Sequence, residues 1–116
     1  MVVKGIRGAI TIESNTKEAI ESGVVELLSQ LCEKNNIKAE NISHAIFTTT
    51  KDIDADFPAK YARLNFGWSE VAMMCFNELD VPDSLKMCIR VLVVINCSQD
   101  FEPQFVYLKG ASNLRK

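Results

Sequence analysis

Apolar and polar positions repeat at two different periods along this chain. Over residues 2–12, Val2, Ile6, Ile10 and Ile12 fall on one side and Val3, Gly5, Arg7, Ala9 and Thr11 on the other, the period of a strand. The period then lengthens: Ile20, Val24, Leu27, Leu28 and Leu31 recur at helical spacing, which predicts one amphipathic helix from about Thr16 to Lys34. Asn15 followed three residues later by Glu18 predicts its N-terminal cap, and Asn35-Asn36 its stop. A second strand is expected from Ile42 to Thr50, then a polar loop from Lys51 to Asp56. Phe57-Pro58-Ala59-Lys60 opens a short helical segment with Pro in its first turn, and Gly67 closes it. Strands are expected at Val71–Phe76, Met87–Ile95 and Phe105–Leu108. The sum is an α+β fold, residues 1–116 forming a single domain: a mostly antiparallel or mixed β-sheet with one long helix.

The Met87–Ile95 run is β-branched and apolar on both sides, the pattern of a strand buried on both faces, yet Arg90 interrupts it. A guanidinium cannot shed its charge, and burying it unpaired costs several kcal/mol, so an anion must meet it. That anion is either a carboxylate of the protein or one carried by a ligand. Arg7 raises the same question, since Gly5 and Ala9 leave room beside it on its own face. The short gap between the third strand and the Arg90 strand predicts that they are antiparallel neighbours, which would bring Glu78 close to Arg90. One long helix cannot cover both faces of such a sheet. The uncovered apolar face predicts self-association.

Charge and composition then narrow the chemistry. A formal net charge of −2 over 116 residues argues against non-specific nucleic-acid binding. The expected setting is the cytoplasm, with neither an export signal nor a membrane span in the sequence. Cys32, Cys75, Cys88 and Cys97 lack paired spacing and His44 is the only histidine, so no metal site and no cofactor is expected, and the thiols read as reduced. Asp52, Asp54 and Asp56 imitate a calcium loop, but Phe57 replaces its Gly and Arg63 its final Glu. No nucleophilic triad or P-loop is present. Two strand arginines, a nearby carboxylate and further cations suit an anionic small molecule that is bound and polarised rather than attacked.

A series of short motifs runs in order along the chain: Ile6-Arg7-Gly8-Ala9, Phe57-Pro58-Ala59-Lys60 with Ala62-Arg63, Gly67-Trp68, and Cys75 with Glu78. It continues through Asp80-Val81-Pro82, Ser84-Leu85, Cys88-Ile89-Arg90-Val91, Val106-Tyr107-Leu108 and Leu114-Arg115. With these motifs the chain resembles the monofunctional chorismate mutases of the AroH class over nearly its whole length. The resemblance implies a homotrimeric pseudo-α/β barrel with active sites at the subunit interfaces. It implies the [3,3] rearrangement of chorismate to prephenate, on the route to phenylalanine and tyrosine, as the reaction. It further implies that Arg90 meets the ether oxygen and a carboxylate, that Arg7 and Tyr107 hold a carboxylate, and that Glu78 and Cys75 take the ring hydroxyl. Phe57 and Ala59 would form apolar wall; Lys60, Arg63 and Arg115 would be cations at the mouth, with Leu114 and Arg115 ordering over the site. The chain departs from the family at Lys51, where Pro is common, and at Phe105, where His is frequent. A trimeric imine or enamine deaminase would bind a carboxylate with a strand arginine on a similar architecture, but without the Cys75–Glu78 and Phe57–Lys60 patterns. A non-catalytic trimer that binds an aromatic acid is the other alternative.

Overall fold

The computed structural model describes residues 1–114. Five strands, β1 (Val2–Thr11), β2 (Ile42–Thr49), β3 (Ala72–Asn77), β4 (Cys88–Cys97) and β5 (Val106–Leu108), form one mixed sheet in the order β3-β2-β4-β1-β5. Two helices pack on it, α1 (Lys17–Asn35, 19 residues) and α2 (Pro58–Phe66, 9 residues), so the short segment after Phe57 is a full second helix. β4 lies between β1 and β2 and is antiparallel to both, while β2 with β3 and β1 with β5 are parallel pairs. The expectation that β3 and β4 are direct antiparallel neighbours is corrected: β2 separates them. Their connection, residues 78–87, passes the end of β2, because β2 has already filled the free edge of β4.

α1 forms because its apolar stripe has a sheet to cover. Ile20, Val24, Leu27, Leu28 and Leu31 are all fully buried, against Ile6, Ile10, Ile89, Val93 and Val106 in the same core. Gly8 permits this approach, since a Cβ there would stand 3.0 Å from Leu31 and 3.1 Å from Leu27. The helix starts one residue later than its polar flank suggests. Thr16, not Asn15, is the N-cap, its hydroxyl accepting from Ala19 N at 3.1 Å. Asn15 is engaged elsewhere: its carbonyl accepts from the amides of Asp54 and Ala55, and its amide donates to Asp54. Asn36 ends the helix in the left-handed conformation, as the Asn pair predicts.

Both helices lie on one side of the sheet. The side carrying Ile89, Val91, Val93 and Ile95 is the core; the opposite side of β4 carries Arg90, Leu92 and Val94 and is only partly covered. The double-sided burial expected of β4 is therefore not achieved within one chain. Val3 of β1, Leu92 of β4, and Met74 and Phe76 of β3 extend this open side as exposed apolar side chains. Only one corner of it is closed. There the segment Lys109–Asn113 folds back over β1, packing Ala111 against Ala9 and Cys88, with Leu85, Tyr107 and Leu114 around them.

Candidate active site

Strand register gathers the first group of site residues on the open side. Ala9 pairs with Arg90 across β1 and β4, Arg7 with Leu92, and Ala9 with Tyr107 across β1 and β5, so Arg7, Arg90 and Tyr107 project from the same side. Glu78 arrives from beyond β3: its amide continues the ladder to Thr49 O at 2.8 Å, and its carboxylate reaches over β2. Oε2 of Glu78 lies 3.6 Å from Arg90 Nε, with the two side chains 28% and 24% exposed. The proximity expected of this pair is present, by a route across β2 rather than through adjacent strands.

The pairing is incomplete. Among the described residues, two buried side-chain polar atoms have no hydrogen-bond partner, Arg90 Nε and Tyr107 OH, and both belong to this side of the sheet. Buried donors are rarely left unmade, because each forfeits its hydration without replacement. Arg7 forms no protein ion pair or hydrogen bond with the described residues. The space that Gly5 leaves is taken by Leu92, whose side chain a Cβ there would meet at 3.2 Å. Cys88, beside Arg90, is fully buried, and desolvation pushes its thiol up despite the cation.

A second group lies at the far edge of the sheet. Phe57, Ala59, Lys60 and Arg63 of the α2 region and Cys75 of β3 line a cleft of about 300 Å³, joined by Met73 and Met74. Cys75 pairs with Phe47, which pairs with Val91, so its thiol is on the helix side, opposite Arg90. Burial raises its pKa, the Ala59 backbone opposing this, so the group is a neutral thiol at pH 7. Lys60 is held by Asp56 at 3.1 Å, and Asp56 also accepts from Tyr61 OH at 2.7 Å and from the Phe57 amide. Those donors, the Tyr61 hydroxyl foremost, hold the Asp56 carboxyl down at about 2, and the same bond lifts Tyr61 to about 12.

The two groups do not meet within one chain. β3 is two strand positions from β4 and three from β1, about 10 and 14 Å at the usual spacing. Leu114 packs against the Ala9, Cys88 and Ala111 cluster, as Tyr107 of the first group does. Arg115 lies outside the described residues. Met73 and Met74 were not foreseen; Met73, two residues before Cys75, shares its side of β3, which is the signal that would have found it. No group of three or more metal-binding side chains occurs among the described residues, and no helix there is long and apolar enough to cross a membrane.

Residues 3–116 match the family model described as chorismate mutase type I. The chain belongs to the type I chorismate mutase family. It is 38% identical over 117 aligned residues to chorismate mutase AroH of Bacillus subtilis, covering 99% of this chain and 91% of that one. With chorismate mutase AroH of Thermus thermophilus it shares 43% identity over 98% of this chain and 94% of the relative. A solved chorismate mutase from Clostridium thermocellum superposes with a TM-score of 0.88 at 47% identity, covering 93% of this chain and 96% of that one. The family assignment favours the mutase over the deaminase alternative.

Proposed function

We propose that this chain converts chorismate to prephenate, in an active site completed by two copies of it within a homotrimer. The carrying observation is the pair of buried, unpartnered donors, Arg90 Nε and Tyr107 OH, beside Arg7. A dianionic substrate supplies what these three groups lack. The reaction is pericyclic: one C–O bond breaks and one C–C bond forms within a single molecule, with no nucleophile, metal, redox group or net proton transfer. The enzyme's task is to hold the enolpyruvyl chain over the ring and to stabilise the charge that grows on the ether oxygen.

Arg90 donates to that oxygen and to a substrate carboxylate. Negative charge on the oxygen is greater in the transition state than in the substrate, so this contact favours the former. Arg7 and Tyr107 hold a carboxylate, and Glu78 accepts from the ring hydroxyl. The cleft of a neighbouring copy closes the other side: Phe57 and Ala59 as wall, Cys75 toward the hydroxyl, and Lys60 and Arg63 as cations at the mouth, with Leu114 of the first chain over the top. The assembly accounts for both unresolved features of the single chain, its open apolar side and its divided site. Incubating the purified protein with chorismate and following its loss, with prephenate identified as product, tests the reading. Turnover without added cofactor is the expected result, and loss of chorismate without prephenate would refute it.

A further inference from the structure

Glu78 and Arg90 are close, yet they do not form the paired contact that a carboxylate and a guanidinium prefer. That preference is a fork of two parallel bonds of about 2.7–2.9 Å, whereas here the separation is 3.6 Å and Arg90 Nε has no hydrogen bond among the described residues. Something restrains the carboxylate. Thr48 stands directly across from Arg90 in the β2–β4 register and from Phe76 in the β2–β3 register, so its side chain lies on the open side between the two. Its hydroxyl donates to Glu78 Oε2 at 2.9 Å, the same oxygen that faces Arg90. The other oxygen accepts from the Leu79 amide at 3.3 Å. Two neutral donors, one on each oxygen, thus tether the carboxylate beside the guanidinium.

We propose that Thr48 is a positioning residue for the mutase reaction, holding Glu78 away from a full ion pair so that Arg90 keeps its donors for the substrate. This inference rests on the chorismate reading given above. Were the hydroxyl absent, Oε2 would be free to turn onto Arg90. Each substrate molecule would then have to break a charge-assisted pair before binding. The penalty falls on the free enzyme, not on the bound complex, where Arg90 has already exchanged Glu78 for the substrate anion. It therefore enters KM more than kcat.

Thr48→Val keeps the size and strand preference of the side chain and removes only the hydroxyl; Thr48→Ala is a second variant without it. Both should raise KM about tenfold, the scale of one hydrogen bond to a charged group, with kcat within about threefold of the unaltered enzyme. Thr48→Ser should restore KM. In a Glu78→Gln background, where the neutral amide cannot form the competing ion pair, Thr48→Val should leave KM nearly unchanged. Unaltered KM in both hydroxyl-free variants, or a loss that Ser fails to restore, would overturn the role of Thr48 while leaving the mutase reading intact. Absence of turnover by the unaltered enzyme would overturn that reading and this proposal with it.

Discussion

At the scale of single residues, the decisive fact is a charge that the chain buries without fully pairing. Arg90 is 24% exposed; among the described residues its Nε has no hydrogen bond and the carboxylate paired with it, Glu78, stands 3.6 Å away. Lys at this position would retain the charge but not the planar fork that the proposed mechanism directs to an ether oxygen and a carboxylate together. Arg90→Lys should lower kcat by roughly 10²-fold or more, on the scale of a lost oxyanion donor; steady-state kinetics showing only a raised KM would contradict the transition-state role. Cys75→Ala should cost far less, since a neutral thiol at the cleft is a weak hydrogen-bonding group. The Asp56–Tyr61 bond makes a prediction about pH. Asp56 is depressed to about 2 and Tyr61 raised to about 12, so their mutual stabilisation is complete between the ordinary carboxylate and phenol ranges. It is lost as pH falls from about 4 through 2, or rises from about 10 through 12. Tyr61→Phe should flatten the alkaline loss in a denaturant titration series, and an unchanged profile would show that the bond carries no stability.

At the scale of elements, much of the fold was legible because the apolar periods are clean. β1, α1, β2, α2, β3 and β4 all lie within a few residues of their expected bounds. The N-cap was misplaced by one residue because Asn15 and Thr16 both have capping side chains. What decides between them is a tertiary bond from Asn15 to the 54–55 backbone, which no local pattern encodes. The neighbours of β4 were equally hidden, since a short connection resembles a hairpin whether or not another strand intervenes. Within the site, Arg7, Arg90 and Glu78 were legible as charges in unfavourable places. Thr48, Met73 and Met74 were not, because strand threonines and methionines carry no such anomaly. Gly23 illustrates a constraint visible only in the packed structure. Alanine would gain about 1 kcal/mol in helix propensity, but its Cβ would meet Ile12 Cγ2 at 2.7 Å. That β-branched side chain cannot swing aside, and overpacking costs about 1–3 kcal/mol. Gly23→Ala should be net destabilising in chemical denaturation at fixed protein concentration; a raised midpoint would show that the helix has room to move.

At the scale of the whole molecule, one chain holds two separate groups of candidate site residues and one uncovered side of a sheet. Arg7, Arg90, Tyr107 and Glu78 face the open side, whereas Phe57, Ala59, Lys60, Arg63 and Cys75 line a cleft at the far edge, between α2 and β3. Exposed Val3, Met74, Phe76 and Leu92 give the open side an apolar character that a second copy would bury. Sedimentation equilibrium should accordingly give a trimer at micromolar concentration, and a stable monomer there would contradict the assembly.

The central claim, that one site is built from two chains, is tested most directly by complementation. Arg90→Ala disables the first half and Ala59→Trp fills the cleft of the second, so each variant alone should be nearly inactive. After subunit exchange at equal concentrations, random assembly gives about a quarter of the sites two intact halves. Chorismate turnover should recover to about that fraction of the unaltered enzyme. If the exchanged mixture forms trimers of both variants yet turns over no faster than the two alone, the site is not shared between chains.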